Sequence, residues 1–142
     1  MRRIAMFGLL GVVLLGGCRG PAKTGYERTY PAFLERGRTI DIQVARNVTK
    51  IELTNTTAQS FGPSTIWLNM WFSRPIDSFR PGQTLRFGLR EFRDEHGDAF
   101  RAGGFFATRE PDRIVLAELE TDEGNGPVLL RLIVVGQTDP QR

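Results

Sequence analysis

From Thr39 onward, apolar side chains recur at every second position, and short polar turns interrupt the recurrence. Ile40, Ile42 and Val44 alternate with Asp41 and Gln43, and Ile51 and Leu53 sit between Lys50, Glu52 and Thr54. A period of two sends successive side chains to opposite faces of a strand, whereas an amphipathic helix needs a period near 3.6. The run Ile66-Trp67-Leu68-Asn69-Met70-Trp71-Phe72 reads as one strand with Ile66, Leu68, Met70 and Phe72 on the core face and Trp67, Asn69 and Trp71 on the other. Pro75 sets its limit, because proline lacks a ladder donor.

Phe79-Arg80-Pro81-Gly82-Gln83 is a turn signal, and Leu85, Phe87 and Leu89 alternate after it. Asp94-Glu95-His96-Gly97-Asp98 is a second turn, which predicts Phe100 to Phe106 as a hairpin partner with a bulge or close backbone approach at Gly103-Gly104. Ile114 to Leu119 is the next expected strand. After Gly124-Asn125-Gly126-Pro127, the segment Val128 to Val135 is apolar on both faces and predicts an interior strand. No segment carries a helical period. About seven short strands of this kind predict an all-β fold, with an immunoglobulin-like or fibronectin-type β-sandwich over residues 37–142 and a small closed barrel as the second choice. The paired cysteines of antibody domains are absent, so the expectation concerns architecture alone.

The amino terminus has a different pattern. Met1-Arg2-Arg3 is basic, Ile4 to Leu15 is almost wholly apolar, and Leu15-Gly16-Gly17-Cys18 closes the segment. A basic start, a short apolar run and small residues at the cut describe a secretory signal; the run is too short to span a bilayer, which takes about 20 residues. With the chain's single cysteine directly after the two glycines, this segment resembles a bacterial lipoprotein signal peptide, with Leu15-Gly16-Gly17-Cys18 as its lipobox. The resemblance implies removal of residues 1–17, lipid attachment at Cys18, and acylation of the new amino terminus. Residues 18–36 then form the lipid attachment and tether. The alternative, an ordinary signal peptide, leaves an unpaired thiol in an oxidising compartment. In the sorting pattern that the leader resembles, Asp after the cysteine favours the inner membrane; Arg19 stands there, so the outer membrane is the expectation in a Gram-negative host.

The full chain carries a formal charge of +3, and losing Arg2 and Arg3 with the leader brings it to about +1. A balance this close to neutral supplies no footprint for nucleic acid. Gly20, Pro21, Gly25 and Pro31 break up the tether, while Tyr26, Tyr30, Phe33 and Leu34 give it side chains that could dock on a surface.

Chemistry is sparse. His96 is the only histidine, and Asp94, His96 and Asp98 share one short turn. That turn lacks the oxygen spacing of a calcium loop, and acids with glycine are ordinary turn residues, so no metal and no cofactor is expected. No serine occupies a Gly-x-Ser-x-Gly elbow. Asn47-Val48-Thr49 and Asn55-Thr56-Thr57 fit the glycosylation pattern but also suit strand ends. Aromatic residues offer the stronger lead: Trp67 and Trp71 as a stacking or hot-spot patch, with Arg101 and Arg109 rimming a surface. The expectation is therefore a non-catalytic, membrane-anchored binding or structural module of the cell envelope, with an envelope protein or glycan as partner. Its competitor is a small envelope hydrolase or metal-dependent accessory enzyme built on Asp94, His96 and Asp98.

Overall fold

The structure, a computed structural model, describes residues 27–138. The leader, Cys18, Arg19 and the tether as far as Tyr26 lie outside the described residues. Seven strands follow: β1 (Arg36–Asn47), β2 (Lys50–Asn55), β3 (Ser64–Leu68), β4 (Phe72–Ile76), β5 (Thr84–Gly88), β6 (Ala117–Asp122) and β7 (Pro127–Thr138), with one 3-10 turn at Leu89–Glu91. The all-β expectation holds. The strands lie in one continuous sheet, in the order β4-β3-β6-β7-β1-β2-β5, curled into an open half-barrel. A division into two separately hydrogen-bonded sheets is not what these ladders give. Instead β7, apolar on both faces, lies between β6, which it meets antiparallel, and β1, which it meets parallel.

The alternation sets which face is inside. Ile40, Ile42 and Val44 of β1, Ile51 and Leu53 of β2, Ile66 and Leu68 of β3, and Leu119 of β6 all enter one core, joined by Leu130 and Leu132 of β7. Curling brings the two sheet edges together. Between them, Arg93 pairs through its backbone with Ser73 of β4. Arg74 of β4 reaches across to stack its guanidinium 3.7 Å from the centroid of Phe87 in β5 and to meet Glu91 at 2.9 Å. Phe92 and Phe100 fill the space beneath this seam.

Two strand expectations are corrected. The Ile66 to Phe72 run is a hairpin: Asn69 and Met70 both take positive φ, 55° and 60°, and the Trp71 amide donates to the Leu68 carbonyl. Two successive left-handed residues are the signature of the turn that matches strand twist, and its usual marker is Asn-Gly. Here Met70 takes the second position at steric cost, while the Asn69 side chain secures the turn by donating to the Arg113 carbonyl and accepting from the amides of Val115 and Leu116. Trp67 therefore lies in β3 and Trp71 in the turn before β4, so the two do not share a strand face. Phe100 to Phe106 forms no strand; Ala99 makes a single bridge to Arg93, and the chain then loops to β6. Gly103 and Gly104 take φ of 75° and 121° and turn that loop outward.

Residues 27–35 lie on the outer face of the sheet. Tyr30 stands edge-on to Trp67, with ring centroids 5.3 Å apart, and donates its hydroxyl to Glu118 at 2.7 Å. Arg28 donates to Thr65 and Glu120 and lies 5.7 Å over the Trp67 ring. The half of the tether described by the structure is thus a packed strap. Among the described residues, no helix is long and apolar enough to cross a membrane.

Candidate functional site

The turn that misled the alternation also makes the most distinctive surface. Because the chain reverses at Asn69-Met70, Trp71 stands at a hairpin end, 51% exposed, beside the loop that follows Phe100. Asn69, Trp71 and Phe72 line an open groove of about 620 Å³ together with Arg101, Arg109 and Asp112 and with Asp94 and Asp98. The structure brings together three of the four residues singled out from sequence: Trp71, Arg101 and Arg109. Trp67 is excluded. It is 0% exposed, its indole N–H donates to Glu120 at 2.8 Å, and the strap covers it.

Within the groove, most polar groups are committed to holding the walls. Asp94 is buried, and its Oδ1 accepts the amides of His96 and Asp98 while Oδ2 accepts the Trp71 indole N–H at 3.2 Å. Desolvation pushes the Asp94 carboxyl upward, but the amides of Asp98 and His96, the Trp71 indole and the charge of His96 outweigh it and hold the group below the ordinary carboxylate range. Arg101 is paired with Asp112, which also accepts the Arg101 amide. The Trp71 indole N–H is thereby held by Asp94 while the residue stays about half exposed. Asp98 and Arg109 line the groove with no side-chain hydrogen bond or ion pair among the described residues. The arrangement offers an exposed aromatic side chain and, among the described residues, one carboxyl and one guanidinium group without a side-chain partner.

His96 stands elsewhere. Its ring is exposed, and its Nε2 lies 3.6 Å from the Glu95 carboxyl group. It does not line the groove that Asp94 and Asp98 share. Among the described residues, no group of three or more His, Cys, Asp or Glu is arranged to hold a metal ion. Asn55 is buried, with its side chain accepting from Thr57 and donating to the carbonyls of Gln59 and Phe79, so its glycosylation match is a structural turn.

Sequence reasoning missed Arg46. It sits at an inward position near the end of β1 and is buried, donating to the backbone carbonyls of Val48, Ala102 and Asp112. It ties the β1–β2 turn to both ends of the long loop that forms one groove wall. The available signal was its place in the alternation: Arg46 continues the inward series Ile40, Ile42, Val44. Comparison with protein-family models, with curated proteins and with solved structures finds no match to this chain.

Proposed function

We propose that this chain is a non-catalytic, lipid-anchored module of the cell envelope that binds a glycan in the Trp71 groove. The carrying observation for binding is the groove itself: a half-exposed tryptophan held through its indole N–H, beside Arg109 and Asp98, whose side chains have no partner among the described residues. A flat aromatic face takes the apolar side of a sugar ring, and unpaired polar groups beside it take the hydroxyls or an acidic substituent. The anchor reading is supported by the lipobox-like Leu15-Gly16-Gly17-Cys18, and Arg19 favours the outer membrane where the host has one. The sandwich reading of the fold is supported by two three-stranded arms, β4-β3-β6 and β1-β2-β5, that flank β7 and enclose a common core.

Intact mass of the protein extracted from the membrane fraction tests the anchor. The expected species begins at Cys18 and carries diacylglyceryl and amide-linked acyl mass, and Cys18→Ser abolishes both. An unmodified mature chain recovered in the aqueous fraction overturns the anchor reading.

A further inference from the structure

The most exposed aromatic side chains lie outside the groove. Phe105 and Phe106 are 96% and 91% exposed, with their rings edge to face at 5.0 Å. Burying apolar surface is favourable, so two adjacent bare rings at a loop tip need an occupant more than scattered surface residues do.

Their loop has a closed neck. Arg46 donates to the carbonyls of Ala102 and Asp112 on its two sides. Arg101 and Asp112 clasp each other: the Asp112 amide donates to the Arg101 carbonyl at 2.9 Å, and the Arg101 guanidinium and amide meet the Asp112 carboxylate. Gly103 and Gly104, both at positive φ, send the chain outward, and the Ala107 amide closes the tip on the Gly104 carbonyl. The rings are carried on a braced projection.

Cations surround it. Lys50 and Arg90 line a groove with both phenylalanines, and Arg90 and Arg109 line another with Phe106. None of these three has a side-chain hydrogen bond or ion pair among the described residues; the acids of the loop are Glu110 and Asp112, and Asp112 is paired with Arg101. The first described residue, Glu27, lies against Gly97, and Thr29 donates to Glu95. From there, about nine residues lead back to Cys18, a span of at most about 30 Å even when fully extended. An anchor at Cys18 keeps the domain within that distance of a bilayer.

We propose that the Phe105-Phe106 loop is a second membrane contact: both rings enter the interfacial zone of an anionic bilayer while Lys50 and Arg90 meet its headgroups. The inference rests on the membrane address proposed above. Aromatic insertion and basic attraction are complementary sources of surface binding, and they reinforce an anchor by limiting the orientations of what it holds. A projecting tip ringed by cations fits a soft, negatively charged surface better than the flat apolar centre of a protein interface.

The test uses the full chain, purified from membranes and reconstituted in vesicles of phosphatidylethanolamine and phosphatidylglycerol. Phe106→Cys carries an environment-sensitive fluorophore, and Asn125→Cys, in the β6–β7 turn, is the reference position. The expected result is a blue shift of about 10 nm or more and about twofold quenching by nitroxide lipids at 106 with neither at 125, both effects roughly halved by Phe105→Ser or by removing phosphatidylglycerol. Aqueous emission at 106 in acylated protein overturns the proposal. So does a blue shift of equal size without vesicles, which marks contact with protein. Mass measurement reads the anchor separately: if acyl mass is absent, the labels are read in Cys18→Ser protein with vesicles added, and quenching at 106 then supports the loop while the anchor reading fails.

Discussion

Trp67 and Trp71 are four residues apart and have opposite surroundings. Trp67 lies under a strap, with Tyr30 against its edge, Arg28 over its ring and Glu120 on its indole N–H. Trp71 keeps the same kind of N–H bond, to Asp94, but the residue stays about half exposed. The difference lies in what the chain supplies nearby. A segment from the amino-terminal side covers the outer face of β3 and β6, whereas at the β3–β4 turn no segment among the described residues covers the indole. One tryptophan seals the fold; the other is presented by it.

The comparison is broken most severely at Trp67. Replacing it with Ala is expected to cost about 3–5 kcal/mol, the range for deleting a buried large aromatic side chain, measured by denaturant unfolding. A loss below about 1 kcal/mol would show that the strap collapses into the space. At Tyr30, removal of the hydroxyl is expected to cost about 1 kcal/mol, because buried Glu118 loses the donor it holds at 2.7 Å. Burial and the Glu118 carboxylate raise the Tyr30 hydroxyl above its ordinary value, against the opposing effect of Arg36. Tyr30→Phe should therefore also remove the Tyr30 step from a spectrophotometric titration at high pH. The smallest expected effect on stability is that of Trp71→Ala, within about 1 kcal/mol because the residue is already about half exposed. Its effect on binding should be large: affinity for N-acetylglucosamine oligosaccharides is expected to fall at least about tenfold by calorimetry, consistent with loss of a stacking ring. Unchanged affinity removes the groove from the glycan reading.

The burial of the two tryptophans could not be read from alternation alone. Alternation correctly placed Ile40, Ile42, Val44, Ile51, Leu53, Ile66 and Leu68 inside, because each lies on an extended segment whose faces differ in polarity. It also identified β7 as interior from its two apolar faces. It failed after Leu68, where the apolar pattern continues through a reversal made by Asn69-Met70 without the glycine that usually marks one. It failed again at Phe100 to Phe106, where positive φ at Gly103 and Gly104 and the hold of Arg46 on distant carbonyls decide the path. Those are contacts between residues far apart in sequence. Arg101 and Arg109 could be named from sequence as a rim, but their meeting with Trp71 depended on that same loop.

The parallel pairing of β1 with β7 has a consequence for how the chain acquires its shape. These two strands are the first and last of the seven and lie side by side in the interior of the sheet. Bringing such distant segments together carries a chain-closure cost that neighbouring hairpins avoid. A chain made from its amino terminus can form β1 with β2 and β3 with β4 early, but these arms have no common ladder until β7 arrives. The sheet is therefore completed only after β7 has been made, so a growing chain that still lacks β7 stays unlocked.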